Sequence, residues 1–408
     1  MLALYAGILL VYQHVARGQI QDELNERINS EMEVRTDAIK SSIAKLHQRI
    51  QFLYTTPPIQ GIVRASAHDG IDPTDGTPLS QWKTRLAIIF EGYLENYPDI
   101  SQIRYIGAAD NGKELVRVER QGSNIKRIPN ERLQSKGDSD YFKEVSQYHP
   151  RKIYVSNINL NREYGEIQLP YTPTQRVAMP VFRNDNVFFG MVVINLDARY
   201  QIDSLVNNLN ADLTLYLLNN KGGYVRHPDD EQSFLFEFDK QSRWDNEFTK
   251  RIKAENTNTL TEVTHIPLQN QFYFSSQRIL LSGLEEGRYL TLIIGTVDAV
   301  MNTLIYQRIL ITAQIMAILL SVVYILFSIA QVNVHKRLIL MRDQAEFKAI
   351  VSGSDEGIIS MDQQGVIKSW NNAATEITGF TKQVAQGQTM FDLFLDPDSS
   401  SVNLTSII

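Results

Sequence analysis

Three arginines and three tyrosines are the side chains of this chain best suited to holding a small molecule. Arg104, Arg162 and Arg176 lie on or beside segments that read as strands. A guanidinium grips a carboxylate through two parallel hydrogen bonds, a geometry lysine does not offer. Tyr141, Tyr154 and Tyr171 each offer ring area and a hydroxyl with which to close a pocket. The expected occupant is an organic anion or another polar metabolite. No comparable set points to catalysis. The seven histidines, His14, His47, His68, His149, His227, His265 and His335, are scattered, and none has a metal-ligand spacing such as His-x-x-x-His. The absence of cysteine removes disulfides, thiolate chemistry and Cys-ligated zinc. No Gly-rich phosphate loop follows a strand. No metal is expected, and no catalytic residue is assigned.

The elements that must position these side chains are divided by one stretch. Residues 309–334 read ILITAQIMAILLSVVYILFSIAQVNV and carry no charge. At about 1.5 Å per residue, a helix of that length outreaches the ~30 Å hydrocarbon core of a bilayer. Arg308 closes it on one side, and His335, Lys336 and Arg337 on the other, with Arg342 and Lys348 beyond. The positive-inside rule places that second flank in the cytoplasm. Residues 1–16 form another uncharged segment, expected to be an uncleaved signal anchor truncated at its start. The predicted topology is in–out–in: a multi-pass protein of a bacterial inner membrane, with 17–308 periplasmic and 335–408 cytoplasmic. Ile20, Leu24, Ile28, Met32, Ile39, Ile43, Leu46, Ile50 and Leu53 recur at three- and four-residue steps, which predicts a long amphipathic helix ending at Pro57-Pro58. Its apolar stripe is expected to serve as a dimer seam or sensor stalk along one part and to pack against its own domain along another, and a homodimer is expected. The net charge of −6 argues against nucleic acid as a partner.

A helix is expected at 82–97, then strands at 100–108 and 114–120 around the hairpin signal Asp110-Asn111-Gly112. Further strands are expected at 152–160, 166–169, 174–182 and 187–196, with a short helix at 203–209. A second β-rich unit follows, with strands at 213–218, 259–265, 272–280 and 289–295. The fold class is thus α+β: a long N-terminal helix, two PAS-like antiparallel units outside the membrane, two transmembrane helices and a partial cytoplasmic PAS domain.

Five ordered motifs carry a resemblance. They are Ser139-Asp140-Tyr141-Phe142, Ile153-Tyr154-Val155-Ser156, Leu160-Asn161-Arg162-Glu163, Arg176 to Phe182 (RVAMPVF) and Gly190 to Asp197 (GMVVINLD). Together they resemble the membrane-distal half of the double Cache sensor modules of bacterial transmembrane receptors. The resemblance covers roughly residues 20–300, with a distal unit at about 67–199 and a proximal one at about 200–297. It implies a small-molecule pocket in the distal half, between the sheet and the segment covering it. The amino-acid-binding branch carries an Arg and a Trp in the short helix. Here Ser139 stands near the Arg position and Tyr141-Phe142 replaces Trp-Tyr, which turns the expectation away from amino acids.

Beyond the apolar stretch, Gly357 to Asp362, the turn Gln363-Gln364-Gly365, Val366 to Trp370, Asn371-Asn372-Ala373-Ala374 and Ile377-Thr378-Gly379-Phe380 resemble the first half of a PAS domain, continuing through 393–397. No reactive Cys for flavin photochemistry and no axial His for heme accompany it, so no cofactor is expected. These resemblances imply a receptor that relays an external ligand to an output domain not contained in the sequence. The expected output is a two-component histidine kinase; the alternatives are a diguanylate cyclase and a methyl-accepting chemotaxis receptor. Gly283-Leu284-Glu285-Glu286-Gly287 only superficially resembles a GGDEF cyclase signature. An anchored ectoenzyme or binding protein is the reading from a third class.

Overall fold

Alternating apolar residues in the middle of the chain build its sheets, and the apolar stripe at its start builds the helix that backs them. The computed structural model describes residues 2–163, 165–238, 240, 242–249, 257–281 and 287–394. Helix α1 (Leu2–Tyr54) is followed by α2 (Pro57–Ser66) and α3 (Leu79–Asn96). Pro57-Pro58 both ends α1 and opens α2, because a first-turn position does not use the N–H that proline lacks. Next come β1 (Ile100–Gly107), the turn α4 (Ala109–Gly112), β2 (Glu114–Gln121), β3 (Asn124–Arg127) and α5 (Asp140–Val145). The short strands β4 (Tyr154–Val155), β5 (Asn159–Leu160), β6 (Arg162–Glu163) and β7 (Glu166–Ile167) lead to β8 (Pro173–Phe182), β9 (Phe188–Asp197) and α6 (Arg199–Val206). The next sheet takes β10 (Thr214–Leu218), β11 (Tyr224–Arg226), β12 (Thr257–His265), β13 (Asn270–Leu280) and β14 (Tyr289–Val297), with α7 (Trp244–Glu247) between β11 and β12. Finally come α8 (Asp298–Gly353), β15 (Ile359–Met361), β16 (Ile367–Trp370), α9 (Asn372–Thr378), α10 (Lys382–Ala385) and α11 (Met390–Phe394).

The chain divides into two compact units, one up to Leu310 and one from Ile311. Among the described residues, the first unit holds two large antiparallel sheets and the small β6–β7 pair. One runs β3-β2-β1-β9-β8-β4, with β5 also paired to β8; the other runs β11-β10-β14-β13-β12. Gly190 sits where β9 crosses opposite Gly107 of β1, and a Cβ there would lie 2.1 Å from the Ile106 carbonyl oxygen. That close approach is why a glycine leads the strand. Every member of the predicted α1 stripe, from Ile20 to Leu53, is buried. The stripe from Ile28 onward joins Trp82, Phe90, Tyr105, Met179 and Ile294 in one core that backs both sheets. The stripe therefore packs against its own domain.

Two membrane helices and a multi-pass chain are the sequence expectation, and here the structure corrects it. Among the described residues one helix is long and apolar enough to cross a membrane, Asp298–Gly353. The uncharged residues at the start of α1 run on without a break into a charged, amphipathic stretch from Arg17, and Ala16 is already buried.

In the second unit β15 and β16 pair antiparallel, and Asn371 caps α9 by accepting the Ala374 N–H at 2.8 Å. Ile367, Trp370, Ala374, Ala385 and Leu393 form its core. Residues 395–397 of the expected PAS half, and Gly283 to Glu286 of the cyclase lookalike, lie outside the described residues.

Candidate functional site

Side chains alternate across a strand, so each strand of the larger sheet serves two faces. Ile103 and Tyr105 of β1, Val177 and Met179 of β8, and Val192 and Ile194 of β9 join the core under α1–α3. Ile106, Ala178, Met191 and Val193 take the other face, where Phe142, Val145, Tyr148 and Tyr154 cover them. Arg104 and Arg176 share the parity of that second face. A cavity of about 1050 Å³ opens there.

Arg104, Tyr141, Tyr154, Arg162 and Arg176 all line this cavity. Tyr171 does not. It lines a separate, more apolar cavity of about 480 Å³, its ring centroid 5.4 Å from that of Phe238.

The three predicted arginines have different surroundings. Arg104 is 2% exposed, with Nη2 3.0 Å from Glu163 Oε1 and Nε 3.2 Å from Glu114 Oε1. Its Nη1 donates to the Tyr141 hydroxyl at 3.4 Å. Arg117, its cross-strand partner on β2, shares the same acids: Nη2 lies 3.2 Å from Glu163 Oε2 and Nη1 3.8 Å from Glu114 Oε2. Two guanidiniums thus share Glu114 and Glu163 behind the cavity wall, and Arg117 also pairs with Glu119; Arg117, Glu119 and Glu163 line a neighbouring cavity of about 440 Å³. Burial pushes the Glu163 carboxyl up, but Arg104 and Arg117 outweigh it and bring it down to about 2. Arg162 is half exposed and lies 3.1 Å from Glu237 Oε2. Glu237 also accepts from Asn159 Nδ2 at 2.7 Å and from the Leu160 N–H, so this pair ties the cavity wall to the loop after β11.

Arg176 has no carboxylate within ion-pair distance among the described residues. Its Nη2 donates to Asn161 Oδ1 at 2.9 Å, and its guanidinium carbon lies 6.0 Å from the centre of the Tyr141 ring. Burial and then the like charge of Arg104 hold its pKa below the usual arginine value. Lys136 adds a second cation. Burial, then Arg104, brings its pKa down to about 8, and its Nζ donates to Gln134 Oε1 at 2.6 Å. Tyr154 is held protonated, its pKa pushed up to about 12 by burial, so its hydroxyl stays a donor. Arg288, just ahead of β14, completes the wall from the second sheet. Its Nη1 lies 2.6 Å from Glu144 Oε1 on α5, its Nη2 donates to the Tyr148 hydroxyl at 3.0 Å, and its guanidinium sits 4.5 Å over the Tyr154 ring.

Glu114, Glu163, Asn161, Lys136 and Arg288 escape the sequence reading. The available signal is Arg104 between apolar residues of β1, since a buried guanidinium requires a partner. No group of three His, Cys, Asp or Glu among the described residues is placed to hold a metal. The arrangement offers positive charge, hydroxyl donors and aromatic walls, which is binding chemistry.

Comparison with known proteins follows the same division. Residues 76–275 match the model of the bacterial histidine kinase sensor domain, and residues 345–406 match that of the PAS fold. The extracellular domain of a candidate histidine kinase matches with a TM-score of 0.50 at 18% identity, over 70% of this chain and 95% of that one. A domain of a candidate sensory box/GGDEF family protein from Vibrio parahaemolyticus matches with a TM-score of 0.50 at 18% identity, over 70% of this chain and 99% of that one. At this identity the likeness shows the fold alone. No curated protein matches the chain. The chain thus carries a sensor domain of the kind found in bacterial signal-transduction receptors, followed by a PAS fold.

Proposed function

We propose that this chain is the sensory part of a transmembrane receptor. A small organic anion occupies the 1050 Å³ cavity of the first unit, α8 crosses the inner membrane, and the PAS unit passes the signal on in the cytoplasm. The first unit faces the periplasm and works as a double Cache module, with the cavity in its distal half. A histidine kinase is the favoured output, with diguanylate cyclase and chemotaxis receptor as alternatives. The basic cluster after residue 334 supports the sidedness of this reading.

The observation that carries the ligand assignment is Arg176. It is a largely buried guanidinium on the cavity wall whose partners among the described residues are neutral, Asn161 and the Tyr141 ring. A carboxylate seated there gains charge-assisted hydrogen bonds and relieves an uncompensated charge. Tyr154 and Lys136 stand by to meet its remaining oxygens. The test is thermal-shift and calorimetric screening of the full chain in nanodiscs against mono- and dicarboxylates, amino acids and neutral amides. A carboxylate hit that Arg176→Gln weakens by about 10- to 100-fold, the equivalent of ~1.5–3 kcal/mol, is the expected result. An unchanged affinity in Arg176→Gln removes Arg176 from the site.

A further inference from the structure

We propose that the turn between β12 and β13 rests in the lipid headgroup layer, beside the point where α8 enters the membrane. Ile266 and Leu268 are 42% and 69% exposed, with Pro267 between them. Two large, exposed apolar residues flanking the proline of a hairpin tip are an unusual choice where the solvent is water, since turns there favour Gly, Pro, Asn, Asp and Ser. The tip is well anchored. The Ile266 N–H donates to the Glu247 carbonyl at 2.8 Å, the Gln269 N–H to the His265 carbonyl at 2.8 Å, and Phe248 bridges His265. A fixed structure thus holds these side chains out.

Topology says what covers them. β13 and β14 are antiparallel, and Phe272 stands opposite Val297, the last residue before α8. The chain therefore enters α8 at the end of the sheet that carries the β12–β13 turn. The first turns of α8 stay at that end: Met301 and Ile305 are buried with Tyr273, Ile20 and Leu24. Ile309, the first residue of the uncharged run, packs against the same cluster. Tyr306, 62% exposed, and Arg308 sit just ahead of it, and such aromatic and basic side chains mark the headgroup level. Asn270, where β13 begins, lies three residues beyond Tyr273, about 10 Å farther out at ~3.3 Å per residue. The apolar tip lies past that point. Lipid is the occupant already present at this level.

The inference rests on the reading that α8 crosses a membrane, and the test separates the two. The chain has no cysteine, so one introduced cysteine gives one labelling site. Spin labels are placed at Leu268→Cys, at Leu280→Cys on the opposite end of β13, and at Leu319→Cys within the uncharged run. The full chain is studied in nanodiscs of phosphatidylethanolamine and phosphatidylglycerol. Oxygen concentrates in lipid, whereas a nickel chelate stays in water. The expected result is an oxygen-to-nickel collision ratio several-fold higher at 268 than at 280, and highest at 319. A ratio at 268 equal to that at 280, with 319 in lipid, overturns the tip assignment and leaves the span intact. A water-like ratio at 319 overturns both. Shielding of 268 from both reagents, with dipolar broadening between labels, assigns the tip to a second copy and overturns the lipid contact. Gln269→Cys serves as a second reporter if the label at 268 perturbs folding, and it carries the same expectation.

Discussion

Cations crowd one cavity, and their partners decide what each one does. Arg104 and Arg117 face Glu114 and Glu163, Arg162 meets Glu237, and Arg288 meets Glu144, while among the described residues Arg176 meets the Asn161 amide and the Tyr141 ring but no carboxylate within ion-pair distance. The proposed function accordingly gives the ligand to Arg176 and leaves the paired arginines to hold the fold. This division has a pH signature. Glu163 has a folded pKa of about 2 against an ordinary value of 4.5. A depressed carboxyl contributes stability that is present above about pH 4.5 and is lost as pH falls toward 2. The first unit should therefore keep a constant melting temperature from pH 7 to 5 and lose it steeply between pH 4.5 and 2. Glu163→Gln removes one of the carboxylates shared by two buried guanidiniums, which keep Glu114 and Glu119, and should cost about 1–3 kcal/mol at neutral pH. It should also flatten the acid limb, read by circular-dichroism melts across the pH range. An acid limb as steep in Glu163→Gln as in the parent would place the sensitivity in another carboxylate.

At the scale of elements, single side chains fasten neighbours that the backbone alone would leave apart. Asn371 is the clearest case. Its Oδ1 accepts from the Ala374 N–H at 2.8 Å and the Ile358 N–H at 2.9 Å, and its Nδ2 donates to the carbonyls of Val351 at 2.9 Å and Glu356 at 2.8 Å. One amide thus joins the end of α8, the approach to β15 and the start of α9. Asn371→Ala should destabilise the PAS unit by about 2 kcal/mol or more, above the ~1 kcal/mol of an ordinary N-cap, because it also strands buried backbone groups. Urea titration followed by Trp370 fluorescence, with Trp82 and Trp244 replaced by Phe, measures it; a loss below that of a simple cap would mean the other three bonds carry little. The cap itself was legible, since Asn before a helical pattern is a local signal. So were the long strands β8, β9, β13 and β14, which run for nine residues or more and are rich in apolar and aromatic residues between turn signals. The stretch predicted as one strand over 152–160 divides into β4 and β5, because Ser156 bonds the backbone of Asn157 and Arg176 and so interrupts the ladder. Pro57-Pro58 reads as a stop, but its second role as the start of α2 depends on the tertiary contacts of Ile59, Ile62 and Trp82. The partners of Arg104 escaped for the same reason. Glu163 is distant in sequence, and charge pairing at that separation leaves no periodic trace. Tyr171 was grouped with the other tyrosines by residue type, and the fold turns it to a different cavity.

For the molecule as a whole, the proposed function requires that occupancy of the cavity reach the PAS unit. Arg288 forms part of the cavity wall, the next residue begins β14, and β14 runs into α8 with no residue between. A ligand that favours one position of this wall therefore biases the start of α8, and it does so only to the extent that its affinities for the two arrangements differ. Linkage requires the reverse as well: a change imposed on the helix alters affinity only through the same coupling. Breaking the helix inside the uncharged run should then separate the two ends. Ile318→Pro removes one helical hydrogen bond and introduces a kink costing roughly 3 kcal/mol locally. With the carboxylate identified by screening, the parent should show altered hydrogen exchange across β15 and β16 on ligand addition. Ile318→Pro should bind the same ligand with a Kd within a few-fold of the parent and show no exchange response there. If the response survives the proline, α8 is not the carrier. If the parent itself shows none while binding tightly, the cavity binds its ligand without reporting to the PAS unit, and the receptor reading gives way to that of an anchored binding protein.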